Sequence, residues 1–200
     1  MNAPSTSLAP RARHKAAVRE ALVQASRALF RARGFEATTV DEIAAAAGVS
    51  RRTFFRYFAG KDAVVFPYAE ERLALFEGLL APRGKERPFA TLRRACRAMA
   101  EHFVAHEDEL RWQHELIEGS ASLLAFEQRL DRRWEEALAT AISGQARRVS
   151  TRDAALAGAA MGALRALLRE WYAGRGQRDL VALIDEVLEL LAPAFGEGTS

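Results

Sequence analysis

The segment RRTFFRY combines side chains that can donate hydrogen bonds with aromatic rings. Arginine can bind the acceptor edge of guanine with two hydrogen bonds, and arginine, threonine and tyrosine all donate to phosphate oxygens. Phe54 and Phe58 lie four residues apart and therefore share one face of a helix. The arginines are left on the outer side, at Arg51, Arg52 and Arg56. The pattern predicts a helix with an apolar anchor and a basic outer surface, which suits binding in a DNA groove.

Two short helices joined by a glycine turn are predicted to position this segment. Thr39 and Glu42 have the spacing of a capping box, in which each side chain accepts a hydrogen bond from the other residue's backbone N–H. Apolar residues recur at helical spacing until Gly48, which can adopt the positive φ that ends many helices. Ser50 can then cap a second helix that begins at Arg51. The caps, turn and basic face favour a helix-turn-helix over the alternative, an ordinary helical corner with solvated arginines.

The segment TTVDEIAAAAGVSRRTFFRYFAGK resembles the DNA-binding domain of TetR-family transcriptional regulators. The usual run in that family is T-[VI]-x-x-I-A-x-x-A-G-V-S-x-x-T-[FL]-[YF]-x-[YH]-F-x-x-K. This chain matches it at Thr39, Ile43, Ala44, Ala47, Gly48, Val49, Ser50, Thr53, Phe54, Tyr57, Phe58 and Lys61. The resemblance implies a homodimer that binds double-stranded DNA through its N-terminal domain and a small-molecule effector through its C-terminal domain. Phe55 stands where many members have tyrosine, so a possible hydroxyl contact is missing.

Positions on the second helix divide the candidate DNA contacts into two groups. The first turn reaches base edges, and it carries Arg51, Arg52 and Thr53. Thr39, Tyr57 and Lys61 match family positions that contact phosphates, and we expect Arg56 to join them. Phosphate contacts give salt-dependent affinity without reading the base sequence. The complete candidate set is Thr39, Ser50, Arg51, Arg52, Thr53, Arg56, Tyr57 and Lys61.

Positive charge is concentrated where DNA would bind. Through Lys61 the chain has 11 Lys and Arg residues against 4 Asp and Glu, a net charge of +7, whereas the rest carries 18 against 22, a net of −4. This asymmetry is typical of a DNA-binding domain followed by a domain with another task. We therefore expect a flexible tail over 1–10, a helix-turn-helix domain over 11–61 and a ligand-binding and dimerisation domain over 62–200.

The rest of the chain reads as a series of helices, and no run alternates like a β-strand between hairpin turns. We expect a first helix over 11–33 and a fourth helix that begins near Gly60. Pro67 lies inside this fourth helix and removes one backbone hydrogen bond, so it should kink or break the helix. Four or five more helices follow a loop at 82–88. The sequence thus predicts an all-α protein of about nine helices, with an N-terminal three-helix domain and a C-terminal helical domain.

The last two helices are the expected dimer contact. Gly158 and Gly162 are spaced four residues apart, and neighbouring alanines continue a smooth surface that allows close helix approach. Tight packing within one subunit is the alternative that the residues leave open. TetR-family proteins pair through their last two helices, so the resemblance favours the dimer. The candidates are Ala155, Gly158, Ala159, Gly162, Leu180, Ile184, Val187 and Leu191.

Apolar and aromatic side chains in the second part of the chain could line a cavity for a small apolar effector. The candidates are Phe66, Phe76, Met99, Phe103, Trp112, Phe126 and Trp134, with Arg165 as a charged partner. Core packing is the commoner explanation for each apolar residue taken singly. The segment RWQHELIEGSASLLAFEQRLDRRWEEALATAI resembles C-terminal domains of regulators similar to the mycofactocin-system repressor, which implies an acyl-CoA-type effector. Arg111 or Arg165 would then bind its phosphates.

Other functions have weaker support in the sequence. His102 and His106 can share a helix face, but no cysteine cluster accompanies them, so a solvated polar face is favoured over a metal site and no cofactor is expected. Ser120 and Ser122 near His114 lack a nucleophile-elbow motif and a clear orienting acid, so we do not expect an enzyme. A ligand-independent architectural DNA-binding protein is the remaining alternative to a ligand-responsive regulator.

The single cysteine and the absence of a long apolar run indicate the cellular setting. Cys96 cannot form an intramolecular disulfide and fits a reducing cytosol. Its helical spacing from Leu92 and Met99 favours a buried thiol over a redox sensor. The longest uncharged apolar stretch, 154–164, is shorter than the roughly 18 residues of a membrane span. We therefore expect a soluble cytoplasmic protein with no membrane contact.

Overall fold

A computed structural model describes residues 10–144, 148–174 and 177–196. All regular structure in these ranges is helical, which confirms the expected all-α class. The elements are α1 (Pro10–Arg33), α2 (Val40–Ala46), α3 (Arg51–Tyr57), α4 (Lys61–Val65), α5 (Ala69–Leu79), α6 (Pro88–Ala105), α7 (Glu107–Glu118), α8 (Ala121–Ile142), α9 (Thr151–Ala173), α10 (Leu180–Leu191) and a short 3-10 helix (Ala192–Phe195). Of the tail expected over 1–10, residues 1–9 lie outside the described residues.

The chain folds as two compact units, Met1–Pro67 and Tyr68–Ser200. The boundary expected from the sequence, after Lys61, coincides with the first residue of α4. In the structure α4 packs against α1, so this short helix belongs to the first unit.

The first unit is built on α1, which packs against both α2 and α4, while α3 packs against α2. Gly34 ends α1 with a φ of 83° and donates its N–H to the Phe30 carbonyl at 2.9 Å. The chain then turns back so that the Phe30 and Phe35 rings lie 5.2 Å apart. The buried apolar side chains of this unit are Leu22, Val23, Phe30, Phe35, Ile43, Ala44, Phe54, Phe58, Val64 and Val65.

Pro67 separates two helices, as its missing N–H predicts. α4 ends at Val65, and α5 begins at Ala69. A kinked fourth helix was the other outcome expected from the sequence. This break contributes to the count of ten α-helices in the described residues, one more than the approximate number expected.

The second unit is a helical bundle in which α9 packs against α8 and α10, and α6 packs against α10. Its core contains Cys96, and burial raises the pKa of this thiol to about 12. The expected burial of Cys96 is therefore confirmed. Among the described helices, none combines the length and apolar character needed to cross a bilayer.

Candidate functional site

The predicted capping box fixes the start of α2. The Thr39 hydroxyl oxygen accepts the Glu42 N–H at 3.3 Å, and the Glu42 carboxylate accepts the Thr39 N–H at 2.8 Å. Arg33 also binds this carboxylate, at 2.9 Å. The hydrogen bonds from Thr39, followed by the charge of Arg33, hold the pKa of Glu42 below its ordinary value. The side chain of Thr39, a candidate phosphate contact, is exposed and donates to Glu42 at 2.8 Å.

A tight turn at Gly48 leads from α2 into α3. Gly48 has a φ of 69°, a conformation that a side chain would strain. Val49 then donates its N–H to the Ala44 carbonyl at 2.9 Å, which closes the turn. Ser50 caps α3 by accepting the Thr53 N–H at 3.1 Å. The Ser50 and Thr53 hydroxyls also lie 3.0 Å apart, so these two candidates are hydrogen-bonded to each other.

The inner face of α3 is anchored by two phenylalanines. Phe54 is fully buried and Phe58 is 5% exposed, with ring centroids 5.8 Å apart. The Arg19 guanidinium of α1 lies 5.8 Å from the Phe58 centroid. The predicted inward orientation is therefore confirmed, and it determines which side chains α3 presents to the outside.

The outer face of α3 carries the three predicted arginines, all exposed. Arg51 donates to Asp41 of α2 at 2.6 Å and lies 5.4 Å from the Phe55 ring centroid. Arg56 lies 5.2 Å from the ring centroid of the half-buried Tyr57. Arg52 has no hydrogen-bond or ion-pair partner among the described residues. Phe55, which sequence reasoning did not select, adds an apolar surface that is 45% exposed.

Lys61 has contacts that the sequence did not predict. Its ammonium group donates to the Phe35 carbonyl at 2.7 Å and to the Glu36 carbonyl at 3.3 Å. It also lies 4.1 Å from the Phe35 ring centroid, within reach of a cation–π interaction. Lys61 therefore ties the start of α4 to the loop after α1, whether or not it also contacts a phosphate.

Four of the eight predicted ligand-binding residues lie in or against the core of the second unit. Phe76 and Met99 are buried, and Phe103 and Trp134 pack against the same cluster. The Phe76 and Trp134 centroids are 4.9 Å apart. Core packing, the other explanation given for these residues, is therefore observed for all four.

The other four predicted ligand-binding residues are placed differently. Phe66 belongs to the first unit. Trp112 and Phe126 are half-buried on α7 and α8, and Arg165 of α9 pairs with Asp131 of α8 at 3.5 Å. The contact of these eight residues with a ligand therefore stays a prediction.

A cleft of about 260 Å³ lies elsewhere in the second unit. It is formed where α5, the end of α6 and the start of α7 meet, and its lining residues are Tyr68, Glu71, Arg72, Leu75, His102, His106 and Glu109. None of the predicted ligand-binding residues lines it. Of its lining residues, only His102 and His106 were considered in the sequence analysis, which favoured a solvated polar face over a metal site. The described residues contain no group of three or more His, Cys, Asp or Glu side chains placed to hold a metal ion.

The contact between α8 and α9 contains a partly buried charge cluster. Burial and the neighbouring Asp131 carboxylate raise the pKa of Glu127 to about 7, although Arg169 and Arg165 oppose the shift. Burial also raises the pKa of Asp131, against the attraction of the same arginines. Glu127 can therefore change its charge near neutral pH.

The predicted dimer residues fall into two groups. Leu180 and Ile184 are 1% and 4% exposed and pack in the core of their own unit, and their contact with a partner stays a prediction. Ala155 and Ala159 are exposed on α9, and the other four are partly accessible, namely Gly158, Gly162, Val187 and Leu191. Gly158 lies close to α8, since a side chain there would approach the Glu135 carboxylate to 3.2 Å.

Of the two serines considered for catalysis, Ser120 is the N-cap of α8. The Ser120 hydroxyl accepts the Leu123 N–H at 3.5 Å and lies 3.1 Å from the Ser122 hydroxyl. His114 faces Glu118 at 3.5 Å and the Tyr172 ring at 5.2 Å. These contacts stabilise α7 and α8 and offer no evidence for a nucleophile.

Comparison with known proteins gives two matches to protein families. The profile of bacterial regulatory proteins of the tetR family matches residues 22–66. The profile of the MftR C-terminal domain matches residues 86–196, more than half of the chain. The first match covers the helix-turn-helix, and the second covers α6 to the 3-10 helix.

Two curated proteins are similar to parts of the chain. One is MftR of Mycobacterium tuberculosis, a proposed transcriptional regulator of mycofactocin biosynthesis, which is 50% identical over 52 residues, 26% of each chain. The other is the HTH-type transcriptional regulator TcmR of Streptomyces glaucescens, 36% identical over 102 residues, 48% of this chain and 45% of TcmR. The matched segments thus span about a quarter and about half of these relatives.

Among solved structures, the chain is similar to FadR of Thermus thermophilus, a TetR-family transcriptional repressor in complex with lauroyl-CoA. The identity is 29% and the TM-score 0.60, over 86% of this chain and 92% of FadR. The similarity extends through both units of the fold.

Proposed function

Because this chain belongs to the TetR family of bacterial transcriptional regulators, we propose that it is a repressor with a small-molecule effector. In this proposal a homodimer binds a palindromic operator, and an apolar effector of the acyl-CoA class releases it. The observation that carries the DNA-binding part is the orientation of α3. Its phenylalanines are buried while Arg51, Arg52 and Arg56 face outward, so basic side chains are held on a fixed support.

Within α3, the three arginines have different tasks in the proposal. Arg51 and Arg52 lie in the first turn and read base edges, where a bidentate contact to guanine contributes about 1–3 kcal/mol of discrimination. Arg51 must exchange its bond to the exposed Asp41 for one to DNA, whereas Arg52 has no such bond to break among the described residues. Arg56 lies in the last turn, with Tyr57, and contacts phosphates.

The homodimer is supported by side chains that no described residue covers. α9 exposes Ala155 and Ala159, which allow a second helix to approach closely. Leu190 of α10 is 82% exposed, so a partner helix would remove its apolar surface from water. A twofold dimer has two copies of α3, and the half-sites read by such dimers lie roughly 34–36 Å apart.

The acyl-CoA class is supported by the similarity to FadR of Thermus thermophilus, whose solved structure contains lauroyl-CoA. In this chain an acyl tail would insert next to Phe76 and Trp134, which are packed against each other at 4.9 Å. Such insertion has to move helices, because the described residues already fill this part of the core. A ligand that binds only a rearranged state shifts the protein towards that state, and this is the proposed basis of operator release.

The test is a fluorescence anisotropy titration of the DNA upstream of the protein's own gene. The complex is challenged with lauroyl-CoA, with palmitoyl-CoA and with free coenzyme A as the matched control. We expect both acyl thioesters to release the DNA and coenzyme A to leave it bound. Release by coenzyme A alone would contradict an apolar effector. A ladder of complexes that is insensitive to all three, and equal on scrambled DNA, would favour the architectural alternative.

A further inference from the structure

The cleft between α5, α6 and α7 contains a buried hydrogen-bond donor without an acceptor. Arg72 is 8% exposed, and its Nη2 donates to the Glu109 carboxylate at 3.1 Å. Its guanidinium lies 5.7 Å from the Tyr68 ring centroid. The Nε–H of Arg72 has no hydrogen-bond partner within the described residues. A buried N–H group without an acceptor destabilises the folded protein, and a ligand that supplies the acceptor would remove this cost.

Several of the other polar groups that line the cleft are acceptors. The His106 Nδ1 lies 2.7 Å from the His102 carbonyl oxygen. A carbonyl oxygen can only accept, so Nδ1 carries a hydrogen, and Nε2 is an acceptor whenever the ring holds a single proton. Glu71 and Glu109 bring carboxylates to the same cleft. A complementary ligand therefore needs an acceptor for Arg72 together with at least one donor.

The charges of the cleft disfavour an anionic ligand. Arg72 is already paired with Glu109, and Glu71 adds a further negative charge. Burial, then the neighbouring His106 and Arg72, lower the pKa of His102, and only Glu109 opposes them, so this imidazole is neutral near pH 7. A carboxylate ligand would be repelled by Glu71 and would compete with Glu109 for one guanidinium. A simple amine would offer Arg72 no acceptor.

We propose that this cleft binds a small carboxamide. Its carbonyl oxygen accepts from Arg72 Nε, its N–H group donates to His106 Nε2, and its apolar tail lies along Leu75. The volume of about 260 Å³ is below the roughly 300–1,000 Å³ of sites for drug-sized ligands, so the occupant is a small molecule. This inference rests on one part of the proposed function, that the second unit is a ligand-binding domain. It does not use the residues assigned to the acyl tail.

The first test compares three probes with the same tail by isothermal titration calorimetry of the full chain, without DNA. They are hexanamide, methyl hexanoate and sodium hexanoate, at neutral pH. We expect hexanamide to bind with a Kd on the order of millimolar, as suits its size. Methyl hexanoate, which has the acceptor but no donor, should bind about tenfold more weakly. Hexanoate should bind most weakly. Hexanoate binding as tightly as hexanamide, or hexanamide not binding at tens of millimolar, overturns the proposal.

Two variants separate the two hydrogen bonds. Arg72→Lys keeps a positive charge for Glu109 but removes the Nε–H, so hexanamide and methyl hexanoate should both weaken, about tenfold. His106→Phe keeps a ring but removes the acceptor, so only hexanamide should weaken. Arg133→Lys is the matched control, because Arg133 of α8 pairs with Glu70 of α5 outside the cleft lining.

The binding constants of these variants test the roles assigned to Arg72 and His106. Unchanged hexanamide binding by Arg72→Lys, or an equal loss in the Arg133→Lys control, refutes the assignment. If Arg72→Lys does not fold, the selective loss in His106→Phe carries the test, and its absence is decisive. Since these measurements contain neither operator nor acyl-CoA, failure here leaves the proposed repression intact. Failure of operator release likewise leaves amide binding unaffected.

Discussion

Replacing Lys61 with methionine should destabilise the N-terminal unit, because the lysine holds together parts that are distant in sequence. Its ammonium group donates to the Phe35 carbonyl at 2.7 Å and lies 4.1 Å from that residue's ring centroid. A hydrogen bond to a charged group contributes about 1.5–3 kcal/mol, and an exposed cation–π contact about 0.5–1 kcal/mol. The longer bond to Glu36, at 3.3 Å, adds little. Since Lys61 is partly solvated and methionine keeps the apolar stem, we expect a loss of about 2 kcal/mol.

The loss should appear as faster hydrogen exchange in the peptide that joins α1 to α2. A change of about 2 kcal/mol corresponds to roughly 30-fold faster exchange of amides protected by unfolding of this unit. Lys85→Met is the matched control, because Lys85 is an exposed lysine in the loop before α6. Equal exchange in the two variants would refute the structural role of Lys61.

DNA binding by the same variant tests the other role expected of Lys61. An ammonium group has three N–H donors, and the structure uses two of them on carbonyls, which leaves one for a phosphate. If that contact forms, Lys61→Met should reduce the slope of log K against log salt by about 0.9, equally on cognate and scrambled duplexes. An unchanged slope together with faster exchange would mean that the phosphate contact is wrong and the structural role correct.

Three further predictions follow from the site and the core. Arg52→Ala should relax base preference by about 1–3 kcal/mol, which a comparison of cognate and scrambled duplexes checks; equal losses on both would contradict a base contact. Phe54→Ala should cost about 3–5 kcal/mol of stability, measured by urea unfolding, and a loss below 1 kcal/mol would contradict its anchoring role. Because burial raises the pKa of Glu127 from 4.5 to about 7, its contribution to stability is full below pH 4.5 and is lost as the pH rises through 7. The Glu127→Gln variant should therefore gain stability relative to the native chain as the pH rises through that range. If the urea midpoints of the two proteins change equally with pH, the raised pKa of Glu127 is excluded.

The helix-turn-helix could be predicted from the sequence because its determinants are local. The capping box joins Thr39 to Glu42, and the cap of α3 joins Ser50 to Thr53, so both depend on residues three positions apart. The turn at Gly48 depends on the backbone freedom of one residue. Their combination fixes which side of α3 faces inward, and the position of the arginines follows from that.

Contacts between distant segments could not be predicted in the same way. Lys61 reaches a carbonyl 26 residues earlier, and Arg72 pairs with Glu109, 37 residues later. In the sequence Arg72 looks like an ordinary charged residue on a helix, where exposure is the usual expectation. Only the packing of α5 against its neighbours buries it and makes its Nε–H a candidate binding group. The cleft therefore could not be predicted from the sequence, and the aromatic ligand candidates were chosen by residue type alone.

The helix α10 shows why an apolar stripe in a sequence does not tell whether the same subunit or a partner subunit buries it. Leu180 and Ile184 recur at helical spacing, and that period is the same for a subunit core and for a dimer contact. In the structure this stripe packs in the subunit's own core, while Leu190, which the stripe does not include, is 82% exposed. The candidate partner surface therefore gains Leu190 and keeps the exposed alanines of α9 with the partly accessible Val187 and Leu191, because only side chains left uncovered by their own subunit can gain burial from a second one.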